Sequence, residues 1–578
     1  MTNYLYYGDN LDVLRESIAD ESVDLVYLDP PFNSNRSYNV LFKNKSGTDA
    51  QAQIEAFDDT WTWSHEAEQQ YLELVSGGAP AKVADAIEAM RKLLGDNDVL
   101  AYLVMMTPRL VELHRVLKLT GSLYLHCDPT ASHYLKVMLD AIFGPTNFRN
   151  EVIWRRTGSH GKLRRYGPVH DVILFVTKSD NYTWNYPRKP YMRGHVEEYF
   201  VQQPDGRWRT NYYGNVLTGS GTRGGESGKP WMGFDPTAKG RHWAIPGALV
   251  EAVDEDMSGL SQHEKLDRLY ELGHITIEEG AAWPMYQRYI TPGDGTPAPD
   301  LWAFQPYTKG TVFGTEAGID EDVRWLNPKD SERLGYPTQK PLALMERIIN
   351  ASSSEGDVIL DPFCGCGTTV DAAEKLGRRW IGIDITYISI DLITKRLRDT
   401  HGDEVMDDVE VLGLPRDVPG ARALFERSPF EFERWAVTRV EGQPNLRQVG
   451  DKGVDGVIRF PLDGTGKNIG RVLVSVKGGK APGPTAVRDL AGTVEAQRAQ
   501  MGVLVTLEEP TRGMKDAAQH AGLYQWPWNG ATFPKIQTMT VGQLLAGQRP
   551  DAPPSLLPYV EAKRQLKPAA EQGGLFEV

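Results

Sequence analysis

Two stretches of the chain hold residue types whose spacing could do chemistry. The first is DLVYLDPPFNSNRSYN, residues 24–39. Leu25, Val26, Tyr27 and Leu28 form an apolar run of the length of a short buried strand. Pro30 and Pro31 cannot continue it, since each lacks an N–H and fixes its own φ. The run therefore delivers Asp29 and Phe32 to the tip of a strand on a stiff loop. A carboxylate held there is a pre-aimed acceptor, and the ring beside it offers a flat apolar face.

The second stretch is VILDPFCGCGTTVDAAEKLGRRWIGIDI, beginning at Val358. It reads as a strand ending at Asp361, a turn made tight by Gly365 and Gly367, a helix from Thr368, and a strand from Trp380 to Ile383 ending at Asp384. In such units the acid after the second strand accepts hydrogen bonds from a ribose, which predicts a nucleoside-containing cofactor. A dinucleotide fingerprint would want a third small residue where Val370 stands. Asp361 adds a second carboxylate to the same pocket, which suits a cationic ligand better than a pyrophosphate. S-adenosyl-L-methionine, with its sulfonium and α-ammonium, fits that demand. A glycine turn without a ligand is the plainer alternative, and the complete strand–turn–helix–strand–Asp context weighs against it.

Both stretches need a sheet to hold them. Residues 1–180 alternate strand-like and helix-like runs, among them YLYYGDN, GSLYLHCD and HDVILFVTKS as strands. A long helix starts near Asn97 or Asp98, either of which can cap it. Residues 331–405 return to the same patterning, and PTQKPLALMERIINASS reads as a helix opened by a proline. Alternation of this kind predicts a mostly parallel, doubly wound α/β sheet. Residues 181–330 break the pattern with Trp, Tyr, Gly and charge, and read as an inserted recognition region. Residues 401–425 read as a charged linker, 426–545 as a second, small α/β domain, and 546–578 as a Pro-rich tail.

The bulk properties bound the function. At 578 residues the chain exceeds one core and should divide into roughly two to four domains. It has no apolar run of about 18 residues, so no membrane partner is expected. Its three cysteines, Cys127, Cys364 and Cys366, lack disulfide or zinc spacing, and a cytoplasmic location is expected. The net charge of −14 argues against a protein that merely coats nucleic acid. One segment is nonetheless basic: between residues 148 and 167, Arg149, Arg155, Arg156, Lys162, Arg164 and Arg165 stand against a single Glu151. It reads either as a solvated loop or as an edge that contacts DNA phosphates.

With DPPF at 29–32 and FCGCG at 363–367, in that order and with the variable region between, the chain resembles the β-class amino DNA methyltransferases over about residues 1–400. The resemblance implies a Rossmann-like S-adenosylmethionine-dependent fold with circularly permuted motifs. It divides the chain into a catalytic half at 1–180, a target-recognition domain at 181–330 and a cofactor-binding half at 331–405. It implies that Asp29, Pro30, Pro31 and Phe32 are catalytic. It implies that Asp9, Asn10, Thr338, Lys340, Asp361, Phe363, Gly365, Gly367, Thr368 and Asp384 bind the cofactor, Asp9 at the adenine and Asp384 at the ribose. A turn-forming Asp before a helix is the other reading of Asp9. The substrate implied is double-stranded DNA with one base flipped out of the stack. Arg36, Tyr38, Arg155, Arg156, Lys162, Arg164 and Arg165 are then the DNA-binding candidates. Asp at the first motif position points to N6 of adenine, where Ser would point to N4 of cytosine. Restriction–modification or host defence is the implied setting, with a homodimer or a restriction protein as partner.

The C-terminal domain resembles the Mrr-like branch of the PD-(D/E)xK nucleases. Asp455, Lys477 and Glu433 are the candidate site residues, with Asp455 and Mg2+ as the candidate metal site. The position two before the lysine is Ser475, where the family has Asp, Glu or Gln. A working nuclease, a degenerate one serving as a DNA- or partner-binding module, and a plain α/β appendage are the three readings.

Overall fold

The computed structural model describes residues 2–31, 37–43, 49–58, 63–158, 164–253, 255–291, 294–302, 313–314, 323, 325–327, 330–334, 336, 338–444, 453–463, 468–479 and 482–555. They fall into two compact units. The first comprises Met1–Asn185, Asp300–Trp302 and Trp325–Val578.

Its centre is a nine-stranded mixed sheet. The strands are β1 (Asn3–Tyr7), β2 (Val23–Leu28), β5 (Leu117–Cys127), β6 (Phe148–Arg155), β7 (His170–Thr177), β8 (Leu301–Trp302), β9 (Val358–Asp361), β10 (Arg379–Asp384) and β11 (Val409–Leu412). A separate hairpin supplies β3 (Ser37–Lys43) and β4 (Asp49–Asp58). The order across the sheet is β8-β6-β7-β5-β2-β9-β10-β1-β11. β7 runs antiparallel to both β5 and β6, while the pairs from β5 through β2, β9, β10 and β1 are parallel. β1 thus lies beside β10, with Tyr7 opposite Asp384, although hundreds of residues separate them in the chain. This is the permuted arrangement expected from the order of the two motifs.

Local chemistry explains where the flanking helices start. Asp9 caps α1 (Asn10–Ser17) by accepting from Leu11 N at 2.8 Å. Asn97 caps α2 (Asp98–Val116), accepting from Leu100 N at 3.0 Å. α3 (Leu342–Ser352) begins after Pro341, α4 (Thr368–Lys375) after Gly367, and Thr386 caps α5 (Tyr387–His401). α2 is buried almost all round, because its apolar residues from Leu100 to Val116 share the main core with Leu123, Leu125, Val172 and Leu174 of the sheet.

The stretch 401–425, expected as a linker, is ordered structure. It contains β11 at the sheet edge and most of α6 (Val418–Arg427), which Asp417 caps. Being an edge strand, β11 is only half-buried, so its sequence carries no apolar run to announce it. A five-stranded sheet follows in the order β12-β13-β14-β15-β16: Gln443–Pro444, Gly456–Pro461, Ile469–Lys477, Met501–Thr506 and Ile536–Thr540. It is preceded by α7 (Pro429–Arg439).

The second unit, Tyr186–Pro299 with Ala303–Arg324, has only short strands and an aromatic core around Trp231, Trp243 and Leu266. Among the described residues, no helix is long and apolar enough to cross a membrane.

Candidate active site

Four neighbouring parallel strands, β2, β9, β10 and β1, end on the same side of the sheet. Each passes into a segment with a carboxylate: Asp29 after β2, Asp361 on β9, Asp384 on β10 and Asp9 after β1. All four line one cavity of about 370 Å³, together with Pro30, Pro31, Thr338, Lys340, Phe363, Gly365 and Thr368. The carboxyl ends of parallel strands are where open α/β sheets bind ligands.

The glycine turn is shaped by its own side of the cavity. Gly365 and Gly367 hold φ of +49° and +76°, in the left-handed region. A Cβ on Gly367 would stand 2.7 Å from Ile393 Cγ1, and one on Gly365 would stand 3.3 Å from the Tyr336 ring. Asp384 fastens the turn: its Oδ2 accepts from Gly365 N at 2.9 Å, and its Oδ1 accepts from Thr386 N at 2.8 Å and Oγ1 at 2.9 Å. Burial raises the Asp384 carboxyl above its ordinary value, against these bonds. Asp361 accepts from Phe363 N at 3.0 Å. Burial, with Asp29 and Asp384 adding their charge, pushes the Asp361 carboxyl up to about 7. Asp29 and Asp384 thus oppose the ionisation of Asp361, an opposition that a bound cation would relieve.

At the other end, Asp9 lies against Arg109. The Arg109 Nη2 donates to both Asp9 oxygens at 2.8 and 3.0 Å, and its Nε donates to Asn10 Oδ1 at 2.6 Å. Asn10 Nδ2 in turn donates to the Pro362 carbonyl at 2.8 Å. One polar atom of Asn10 thus ties α1 to the chain just before the glycine turn, and the other ties it to Arg109 on α2. Asp9 caps α1 and also lines the cavity. Thr368 takes a hydrogen bond from Arg396 Nη1 at 3.1 Å, which anchors the start of α4.

Asp29 is held by Lys340, whose Nζ forms a close ion pair with Asp29 Oδ2. The other oxygen, Oδ1, is buried and has no hydrogen-bond partner among the described residues. Such an atom is costly unless a donor reaches it. The segment carrying Lys340 is itself pinned: Gln339 Nε2 donates to Glu332 O at 2.7 Å and Glu332 Oε1 accepts from Leu342 N at 2.7 Å.

Reasoning from the sequence missed Tyr27, Gln70, Met105, Arg109 and Tyr336, all of which line the cavity. Arg109 left one signal: it is a lone cation inside the apolar run LVMMTPRLVELH. Phe32, Arg36 and Lys162 lie outside the described residues, and Tyr38 is placed only as part of β3. Of the other basic candidates, Arg164 and Arg165 are exposed. The Arg155 guanidinium lies 5.7 Å from the centre of the Trp325 ring, and Arg156 Nε pairs with Asp171 Oδ1 at 3.0 Å.

The candidate nuclease site is a different arrangement. Asp455 Oδ2 accepts from Val476 N at 2.6 Å and from Ser475 Oγ at 3.3 Å, and Lys477 Nζ stands 3.9 Å away. The carboxylate is turned onto its own sheet. Glu433 lies on α7, and no group of three His, Cys, Asp or Glu side chains among the described residues could hold a metal ion. The expectation of Mg2+ at Asp455 finds no support among the described residues, where Ser475 stands in place of the second acid.

Comparison with known proteins agrees with this division. Residues 429–544 match the family described as NACHT-associated inactive Restriction Endonuclease 1. The chain is 26% identical over 396 residues to the type II methyltransferase M.EcaI of Enterobacter cloacae, covering 68% of this chain and 69% of that one. It is 25% identical over 379 residues to the Mod subunit of the type III restriction-modification enzyme StyLTI of Salmonella typhimurium, covering 65% of this chain and 50% of that subunit. Among solved structures, the PvuII cytosine-N4-specific DNA methyltransferase aligns over 71% of this chain and 92% of its own, at 13% identity and a TM-score of 0.31. The M1.HpyAVI–SAM complex aligns over 68% and 98%, at 13% identity and a TM-score of 0.28. The family of N6/N4 methyltransferases described as DNA methylase matches residues 23–395, about two thirds of the chain, and the chain belongs to it.

Proposed function

We propose that the chain is a site-specific DNA methyltransferase that methylates N6 of adenine, with a C-terminal nuclease fold that does not cut. The observation that carries this is the cavity of four carboxylates in which one oxygen of Asp29 is buried without a partner among the described residues.

S-adenosyl-L-methionine supplies an electrophilic methyl group on a sulfonium. The residues present suit it: Asp384 is read as the ribose acceptor and Asp9 as the adenine acceptor, and glycines at 365 and 367 let the backbone make the tight turn beside them. Lys340 and Thr338 are the polar groups nearest the methionine end. An exocyclic amine is a poor nucleophile because its lone pair is delocalised into the base. Asp29 Oδ1 and the Pro30 carbonyl can accept its two N–H bonds, free the lone pair and stabilise the positive charge that develops. The two prolines fix both acceptors in advance, so the geometry costs no reorganisation. Phe32 offers a face for the flipped base. Asp rather than Ser at position 29 supports adenine over cytosine. Arg155, Arg156, Arg164 and Arg165 are read as phosphate contacts beside this site. The relatives' names support a place in restriction–modification.

The test is transfer of a labelled methyl group by the full-length protein to unmethylated genomic DNA, followed by mapping of the modified base. N6-methyladenine at one recognition sequence is expected. N4-methylcytosine alone would overturn the base assignment, and no transfer would overturn the enzyme.

A further inference from the structure

A line of buried polar residues leaves the cavity sideways through the sheet, one residue per strand. Tyr27 on β2 lines the cavity two residues before Asp29 and is 2% exposed. Its hydroxyl lies 3.0 Å from Nδ1 of His126 on β5. His126 is fully buried, and its Nε2 lies 3.0 Å from Oδ2 of Asp171 on β7. Arg156, just beyond β6, closes the line on the other oxygen of Asp171, and its own N–H is pinned to Val169 O at 2.9 Å.

The direction of the hydrogen bonds follows from charge. Asp171 is buried, which pushes its carboxyl up, but the His126 hydrogen bond, with the charges of Lys340 and Arg156, outweighs this and leaves it below the ordinary value. It is a carboxylate, and Arg156 already matches its charge. A carboxylate only accepts, so the His126 ring carries a hydrogen on Nε2, facing Asp171. With that tautomer Nδ1 accepts, and Tyr27 is the donor. Burial holds that proton on the phenol. The Tyr27 oxygen is left with lone pairs alone.

We propose that Asp171 and His126 are positioning residues that make Tyr27 an acceptor-only hydroxyl in the cavity, and that its oxygen meets the methyl group of the sulfonium. Methyl hydrogens beside a positive sulfur are polarised enough to form C–H···O contacts. The alternative donor in the same ligand is its α-ammonium. The proposal rests on the S-adenosyl-L-methionine reading above.

Calorimetric binding to the full-length protein separates these cases, because S-adenosyl-L-homocysteine keeps the ammonium and lacks both the methyl group and the sulfonium charge. Tyr27→Phe and Asp171→Asn are expected to weaken S-adenosyl-L-methionine about fivefold each, the size of one such contact, and to leave S-adenosyl-L-homocysteine within about twofold. Asp171→Asn acts by reversing the His126 tautomer, so the double variant should bind no more weakly than Tyr27→Phe alone. Equal losses for both ligands would assign Tyr27 to the ammonium and overturn the proposal, as would a further loss in the double variant. His126→Gln, whose amide can accept from Tyr27 and donate to Asp171, serves if Asp171→Asn does not fold. It should keep the wild-type ratio of the two affinities, and a ratio fallen to that of Tyr27→Phe would overturn the relay. Failure of the wild type to bind either ligand would instead remove the cofactor reading itself.

Discussion

The acids of the cavity do unequal work, and their surroundings say which. Asp29 has one oxygen engaged by Lys340 and one without a partner among the described residues. Asp29→Asn keeps the shape but turns an acceptor into a donor facing the amine. Methyl transfer should fall by about 10³-fold with cofactor affinity kept, as single-turnover rates and calorimetry would show. Asp361 differs, since burial lifts its carboxyl to about 7 from 3.8. A raised acid favours the fold in its neutral form. Its contribution to stability is complete below about pH 4 and is lost as pH rises through about 7. A cationic ligand prefers the ionised form, so the sign reverses for binding. Affinity for S-adenosyl-L-methionine should rise between about pH 5.5 and 8, and the melting-temperature gain it gives should be larger at about pH 8 than at about pH 6. Asp361→Asn should flatten both profiles; a pH-independent affinity in the wild type would contradict the assignment.

At the scale of elements, the glycine turn between β9 and α4 concentrates the demands of the site. Gly367→Ala would force a methyl group to 2.7 Å from Ile393 Cγ1 at a φ of +76°. A cost on the order of 1–3 kcal/mol in stability is expected from strain and overpacking together. Cofactor affinity should fall as well, because the turn's N–H on Gly365 is tied to Asp384. Thermal unfolding with and without cofactor measures both. This turn and the tip of β2 were legible because prolines and glycines at strand ends are local signals that do not depend on the rest of the chain. The Asn97 cap was legible for the same reason. The partners of those residues were not. Lys340 reaches Asp29 across more than 300 residues, and Arg109 reaches Asp9 across 100. Tyr27, His126 and Asp171 sit in runs that read simply as apolar strands. They are polar residues facing one another across strands, and only the order of strands in the sheet shows that. β11 escaped because its four residues, VEVL, make too short a run between charged and turn residues to stand out.

At the scale of the whole chain, the C-terminal sheet is attached close to the acids that line the cavity. Tyr7, which lies opposite Asp384 in the sheet, donates from its hydroxyl to Glu431 Oε2 on α7 at 2.9 Å. Burial and the Glu431 charge hold that proton on Tyr7. The Tyr7 ring packs edge-on against Tyr387, the first residue of α5, which follows directly on Asp384, Ile385 and Thr386. One helix of a fold with no fitting metal site among the described residues thus braces the ends of both β1 and β10. Its stability and cofactor occupancy should be linked, since a ligand that orders those strand ends also orders what is packed on them. S-adenosyl-L-homocysteine should slow amide hydrogen exchange in α7 as well as in the glycine turn. Glu431→Ala should keep protection of the turn but remove the ligand's effect on α7. The wild type should leave plasmid DNA intact with Mg2+ or Mn2+, whether or not the DNA is methylated. Exchange in α7 that ignores the ligand would show the second fold to be carried along by the first, with no share in its site.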